Sequence, residues 1–135
     1  MGSYRERARI LADNGVHLIA LEMMQETVHA RRAAEAAVET GLPIWLGTSV
    51  RRDDRGRIVS HGQETRPLGN ILDTLLPFEP SVVNIMHSRI DAVPEAIRIE
   101  LSRWPGPVGV YPESGHYEKP GWQERGALGG IIQRK

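Results

Sequence analysis

The sequence predicts an α/β fold in which a parallel sheet is built from repeated strand–helix units. Segments with helical spacing alternate along the chain with short apolar runs of strand length, and this alternation is typical of parallel sheets. The apolar runs are continuous, which predicts a sheet that is covered on both faces. Because no linker or low-complexity segment interrupts residues 1–135, we expect a single domain.

Each predicted element has a local signal. The predicted helices are residues 4–15, 25–41, 66–78 and about 91–104, and the predicted strands are residues 16–24, 43–50, 82–87, 107–115 and 126–133. Glycines end the first two helices, as is common at helix C-termini. Asp91 or Ser88 is expected to cap the fourth helix, and Pro94 suits its first turn, where no N–H is needed. The polar segment 51–65, with the turn signals "DDRG" and "HGQ", is expected to be a loop.

Composition excludes several classes of function. The chain has 17 Lys plus Arg and 17 Asp plus Glu, so no excess charge favours a nucleic acid or a membrane surface as partner. It has no cysteine, which excludes disulfides, thiolate metal sites and a cysteine nucleophile. No apolar run approaches the roughly 20 residues that a membrane span requires. We therefore expect a cytoplasmic protein that acts on a small molecule.

Polar side chains stand where the predicted strands end. They are Glu22, then Thr48 and Ser49, then His87 and Ser88, and finally Glu113, Ser114 and His116. In parallel α/β folds ligands bind at the carboxyl ends of the strands. Two carboxylates and two imidazoles at one edge can bind a divalent metal or act as acid and base.

Structural explanations also exist for some of these residues. An unpaired carboxylate is costly in a buried strand, so we favour a functional role for Glu22. His87 either hydrogen-bonds to a neighbouring loop or serves as a ligand, and the sequence leaves both open. Turn chemistry alone explains Ser114, which lies between proline and glycine.

Four segments, taken in order, resemble those of the homocysteine S-methyltransferase family. "GVHLIALEMM" resembles that family's "GVDLLAFET" strand, and "GLPIWLGTSV" is similar to its "PxWxSxS" strand. "VGVYPESGHYEKPGW" resembles "YPNSGExYD…W", and "RGALGGII" resembles "GAxxIGGCC". The resemblance implies a (β/α)8 barrel and places Glu22 on a glutamate that contacts homocysteine. It covers nearly the whole chain.

The chain departs from this family at the metal site. The resemblance implies zinc bound by three cysteines, one at or next to His87 and two at Ile131 and Ile132. Zinc in such a site holds a thiol as the more nucleophilic thiolate. Isoleucine cannot bind zinc, so the family's site as such is absent and the cofactor stays unknown. Glu113 also replaces the usual asparagine.

The chain departs from the family in length as well. A complete barrel of eight strands takes about 250 residues, and this chain resembles only the latter part of one. The expected fold is therefore a partial (β/α)8 barrel of about five parallel strands. Such a sheet has open edges and one uncovered face. We expect it to form a homo-oligomer or to bind a partner chain that completes the barrel.

Three hypotheses for function follow. In the first, the chain transfers a methyl group to a thiol such as homocysteine. Glu22 then holds the substrate amino group, and Thr48, Ser49 and Ser114 line the pocket. His87 serves as metal ligand or base, with Glu113 or His116. In the second, the chain binds a sulfur amino acid or assembles without turnover, and in the third it is an inactive barrel fragment.

Overall fold

The computed structural model describes residues 3–62 and 65–113, together with the backbone of residues 116–118 and 121–123. The α-helices are α1 (Tyr4–Asp13), α2 (Thr27–Val38), α3 (Leu68–Leu75) and α4 (Val93–Leu101), and a 3₁₀ turn (Leu76–Phe78) follows α3. The strands are β1 (Ile19–Leu21), β2 (Ile44–Thr48), β3 (Val50–Arg52), β4 (Ile58–Ser60), β5 (Val82–Arg89), β6 (Val108–Glu113), β7 (His116–Glu118) and β8 (Gly121–Gln123).

Four strands form a parallel sheet in the order β1-β2-β5-β6. The registers join Ile19 to Ile44, Trp45 to Val82 and Val83 to Val108. This arrangement confirms the predicted α/β class and is that of a partial barrel. The fifth predicted strand, residues 126–133, lies outside the described residues.

Two short antiparallel hairpins, β3–β4 and β7–β8, were not predicted. The first lies within segment 51–65, so the expectation of a loop there was wrong. Its "DDRG" turn is confirmed, since the N–H of Gly56 donates to the carbonyl of Asp53 at 2.9 Å. The Asp53 carboxylate also accepts hydrogen bonds from the backbone N–H groups of Arg55 and Arg57. A polar turn of this kind satisfies its own backbone and can therefore connect two short strands.

The predicted cap of the fourth helix was wrong. Helix α4 has Ala92 at its N-cap position, with no side-chain hydrogen bond there. The Ser88 hydroxyl instead donates to the carbonyl of Met86 at 2.7 Å, and the Asp91 carboxylate accepts from Arg89 at 3.1 Å. Proline does lie in the first turn of α4, as predicted.

One face of the parallel sheet is covered by the helices, and we call it the covered face. The small side chains of α2 let this helix approach β1 and β2 closely, so that Ile19, Leu21 and Ile44 pack against its alanines. Helices α3 and α4 cover Val83 and Ile85 in the same way. This apolar layer is the main source of stability, because it removes the largest apolar area from water.

The opposite face, which we call the open face, carries the alternate residues of the same strands. Ala20, Trp45, Met86 and Tyr111 lie on it, because side chains alternate along a strand and these residues share the registers of the sheet. Trp45 and Tyr111 are each 42% exposed. The expectation of a sheet covered on both faces is therefore wrong for the described residues, because the helices pack on one side only. Among those residues, no helix is long and apolar enough to cross a membrane.

Candidate active site at the carboxyl ends of the strands

The parallel strands bring three of the predicted site residues to one edge of the sheet. Glu22 directly follows β1, His87 lies near the end of β5, and Glu113 is the last residue of β6. Because the strands are parallel, their carboxyl ends lie on the same edge. This edge is the place where α/β folds bind their ligands.

A β-bulge directs His87 into the site. The register between β5 and β6 shifts between Met86 and Arg89, and His87 adopts a positive φ of 45°. A bulge changes the direction in which a side chain points, and such irregularities are common next to active sites. A positive φ is unusual for histidine and indicates that the surrounding structure holds it.

His87 and Glu113 form a hydrogen-bonded pair. Nδ1 of His87 lies 3.1 Å from Oε1 of Glu113, and the side chains are 46% and 28% exposed. An ionised carboxylate only accepts hydrogen bonds, so this contact favours the imidazole tautomer that carries its proton on Nδ1. Nε2 of the neutral ring is then left with a free lone pair. This is the arrangement in which a carboxylate orients an imidazole that acts as a base.

Tyr111 connects Glu22 to this pair. Its hydroxyl donates to Oε1 of Glu22 at 3.3 Å, and its ring packs edge-on against His87 with the centroids 5.7 Å apart. Burial raises the pKa of Tyr111, and the negative charge of Glu22 and the hydrogen bond to it raise the pKa further. Each of these effects disfavours the phenolate, so Tyr111 stays a neutral donor.

Glu22 itself is exposed, because β1 ends one residue before it. The reasoning that treated it as a buried strand carboxylate was therefore wrong. The next residue, Met23, has a φ of 58°, and the N–H of Met24 then donates to the carbonyl of Gly47 in β2 at 2.9 Å. An exposed carboxylate at this edge can accept hydrogen bonds from a ligand as well as from Tyr111.

Thr48 and Ser49 are fully buried. Thr48 is level with Ile85 of the covered face, and its hydroxyl has no hydrogen-bond partner. The Ser49 hydroxyl donates to the carbonyl of His87 at 3.0 Å. Thr48 thus ends β2 with its side chain on the covered face, Ser49 contacts His87, and their role as pocket residues stays a prediction.

The side chains of two other predicted site residues, Ser114 and His116, are not among those that the structure describes. Ser114 lies outside the described residues, and only the backbone of His116 is described, in β7. Their proposed parts in the site stay predictions.

Sequence reasoning missed Tyr111 and Met86. The thioether sulfur of Met86 accepts a hydrogen bond from the N–H of Met23 and lies beside the Tyr111 hydroxyl as an alternative acceptor to Glu22, both at 3.3 Å. One signal was available for Tyr111, which precedes Glu113 by two residues and so shares its face of the strand. Met86 had no such signal, because in the sequence it is one of several apolar residues in a buried strand.

The described residues do not fit the zinc site that the resemblance implies. The chain has no cysteine, so no thiolate ligand exists anywhere in it. Within residues 3–62 and 65–113, no three His, Cys, Asp or Glu side chains are grouped so as to hold a metal ion. His87 has Glu113 beside it, which supplies a single further ligand. Positions 131 and 132 lie outside the described residues and are isoleucines.

The fold and this edge define an α/β domain whose polar site lies at the carboxyl ends of parallel strands. The model of the homocysteine S-methyltransferase family matches residues 1–128, so the chain belongs to that family. The resemblance drawn from the four sequence segments is thereby confirmed. No curated protein gives a significant match to the chain.

Proposed function

We propose that the chain transfers a methyl group to a small thiol such as homocysteine, with His87 and Glu113 in place of a zinc ion. The observation that carries the proposal is the 3.1 Å contact between Nδ1 of His87 and Glu113 at the carboxyl ends of the strands. Family membership supports homocysteine as the acceptor. The absence of cysteine means that another group must generate the thiolate.

The acceptor is oriented by Glu22. Homocysteine carries an ammonium group and a thiol at the two ends of a short chain, and an ammonium group donates well to a carboxylate. Glu22 and His87 both contact Tyr111, Glu22 at the hydroxyl and His87 at the ring, so the two groups are close to the same side chain. An ammonium held at Glu22 leaves the thiol free to reach Nε2 of His87.

Methyl transfer then takes place in two steps. The thiol proton moves to Nε2 of His87, and the resulting imidazolium is stabilised by the Glu113 carboxylate. The thiolate sulfur attacks the methyl carbon of a sulfonium donor. A new sulfur–carbon bond forms as the donor's bond breaks, and the electron pair of the broken bond stays on the donor sulfur. The donor leaves as a neutral thioether, and His87 returns its proton to water.

Calorimetry with L-homocysteine tests the substrate assignment. We expect Glu22→Gln to weaken binding at least about tenfold, because a charge-assisted hydrogen bond is lost. Glu6→Gln is the matched control, since Glu6 is an exposed glutamate of α1 and α1 packs on α2 rather than on the site edge. Equal affinities for wild type and Glu22→Gln would remove Glu22 from the site.

A methyl-transfer assay with S-methylmethionine as donor tests the base. We expect His87→Asn to lower kcat/KM by about 100-fold, the lower end of the usual range for general-base catalysis. Glu113→Gln should produce a smaller loss, because the imidazole remains. Activity should survive treatment with a chelator, and metal analysis by mass spectrometry should find less than one zinc per chain. Loss of activity with the chelator would contradict a base that works without metal.

Binding without turnover is the second candidate function. It is favoured by one observation, the absence of cysteine from a chain whose family holds its thiol on zinc. It predicts that homocysteine binds in the calorimeter but that no methylated product forms with any onium donor. Product formation that depends on His87 would exclude it.

We also propose that another chain, either a second copy or a separate partner, covers the open face. Trp45 and Tyr111 are each 42% exposed there, and large exposed aromatic side chains on one face are typical of interaction surfaces. Light scattering at micromolar concentration tests this proposal. A mass above that of one chain is expected, or a rise in mass when a partner is added, and a stable monomer that binds nothing would contradict it.

A further inference from the structure

A serine side chain bonds to β5 beyond the point where its backbone pairing with β2 ends. Regular pairing between β2 and β5 ends at Thr48 and Ile85. Two residues further along β5, the carbonyl of His87 accepts a hydrogen bond from the Ser49 hydroxyl at 3.0 Å. Buried backbone carbonyls are almost always hydrogen-bonded. Ser49 therefore supplies from a side chain the bond that a regular strand would supply from its backbone.

A second serine, Ser88, hydrogen-bonds to the backbone that follows β2. The Ser88 hydroxyl accepts from the N–H of Val50 at 2.8 Å and donates to the carbonyl of Met86 at 2.7 Å. Ser88 is 1% exposed. Just beyond the end of β2, two serine hydroxyls thus join the chain to β5, one at the His87 carbonyl and the other between Val50 and Ser88.

We propose that Ser49 is a positioning residue for His87. Its hydroxyl holds the carbonyl of the bulged residue, and this contact keeps His87 at its positive φ of 45° with the imidazole against Tyr111 and Glu113. A histidine keeps a positive φ only where its surroundings favour it over the more common conformations. Without the Ser49 hydroxyl, the backbone at His87 is free to relax, and the ring leaves Glu113.

Ser49 acts through His87 rather than on the substrate. It is completely buried, and its hydroxyl proton is already donated to the His87 carbonyl. Because the side chain is completely buried, its hydroxyl is not exposed to a ligand at the edge of the sheet. Only the activity readout below rests on the proposed function, because the structural readout needs no substrate.

The structural readout is the nuclear Overhauser effect between the rings of His87 and Tyr111, measured on the full chain. In wild type it should be observed, since the ring centroids are 5.7 Å apart. Ser49→Ala should abolish it, while Ser49→Thr, which keeps the hydroxyl, should retain it. Thr40→Val is the matched control, because Thr40 also donates its hydroxyl to a backbone carbonyl, at 2.6 Å, but at the end of α2. An unchanged effect in Ser49→Ala would overturn the proposal.

The activity readout is a double-mutant cycle with His87→Asn. We expect Ser49→Ala to lower kcat/KM about tenfold when His87 is present, a factor that corresponds to about 1.4 kcal/mol. In the His87→Asn background the same change should have no effect. Equal losses in both backgrounds would mean that Ser49 only stabilises the fold, and would overturn the proposal.

The two readouts separate the inference from the proposed function. If wild type transfers no methyl group, the proposed function fails, and the ring contact still decides the role of Ser49. If methyl transfer depends on His87 but the ring contact ignores Ser49, only the inference fails. Should Ser49→Ala not fold, Ser49→Cys fills nearly the same space with a much weaker donor. It then takes the place of the alanine variant in both readouts, with the same expected results.

Discussion

The covered face and the open face of the sheet differ in what their side chains do. On the covered face, Ile19, Ile44, Val83 and Ile85 are all 5% exposed or less. On the open face, Trp45 and Tyr111 are each 42% exposed, although Met86 between the strands is only 2% exposed, and polar contacts join Tyr111 to its neighbours. The same strands thus provide an apolar layer on one side and a group of polar side chains on the other.

This difference shows how the chain separates stability from function. Burial on the covered face supplies free energy that does not depend on the site. The polar groups at the edge therefore need not contribute to stability and remain available to a ligand. The predictions below test this separation, starting with the largest expected effect.

Truncation on the two faces should have very different costs. Leu72→Ala removes a completely buried side chain of the covered layer and should lower the free energy of unfolding by about 2–5 kcal/mol. Trp45→Ala on the open face should lower it by about 1 kcal/mol or less, because that ring stays partly in water. Urea unfolding followed by circular dichroism measures both. Equal losses would show that the open face is covered in solution.

Glu100 is a titratable side chain buried among the apolar residues of the covered side. We expect it to make the free energy of unfolding depend on pH. It is completely buried on α4, and neither carboxylate oxygen has a hydrogen-bond partner. Burial raises its pKa from 4.5 to about 8. The folded protein then holds a proton that the unfolded chain loses above pH 4.5. Stability is therefore full below that pH and falls as pH rises toward 8, by a few kcal/mol since one pKa unit corresponds to about 1.4 kcal/mol.

The free energy of unfolding, measured from about pH 5 to about pH 9, checks this expectation, since that range spans the raised pKa of Glu100. Glu100→Gln should remove most of the fall, because the amide does not titrate. Glu95→Gln, a change at a partly exposed glutamate of the same helix, should keep the wild-type dependence. A wild-type stability that does not fall over this range would contradict the prediction.

Gly47→Ala tests how tightly the open face is packed at its centre. A Cβ on Gly47 would lie 2.9 Å from the sulfur of Met86 and closer still to its terminal methyl group. We expect a loss of about 1–3 kcal/mol, typical of overpacking. Met86→Ala should relieve most of the clash, so the double variant should be more stable than the sum of the two single changes predicts. If the losses of unfolding free energy in the two single variants simply add in the double variant, Met86 moves aside without cost.

Tyr111→Phe should have the smallest effect on stability. It removes a hydroxyl whose one proton has two acceptors, Glu22 and Met86, both at the long distance of 3.3 Å, so a loss of less than about 1 kcal/mol is expected. The titration of Tyr111 is the sharper measurement. Because Glu22 contributes to its raised pKa, Glu22→Gln should move that pKa back toward 10, as followed by the ultraviolet absorbance of tyrosinate. Tyr111→Phe identifies the signal, and an unchanged pKa in Glu22→Gln would show that Glu22 and Tyr111 are not in contact.

Sequence reasoning located the strand ends and failed on their details. It placed Glu22, His87 and Glu113 at one edge, because an apolar run followed by a polar residue is a local signal and parallel strands share an edge. It could not show that Glu22 is exposed, since this depends on β1 ending at Leu21, three residues before the end of the predicted strand. It also missed the hairpin formed by β3 and β4, whose pairing depends on contacts between residues that are apart in sequence.

The sequence by itself determined the four helices, the four parallel strands of the described sheet, the α/β class and the family, because periodicity, turn residues and motifs are local properties of the chain. Only the tertiary structure decided which way His87 points. Its direction depends on the register shift between β5 and β6 and on the hydroxyl of Ser49, 38 positions away. Such contacts are invisible in a single sequence, because they arise only when distant strands pair and their unsatisfied backbone groups find partners.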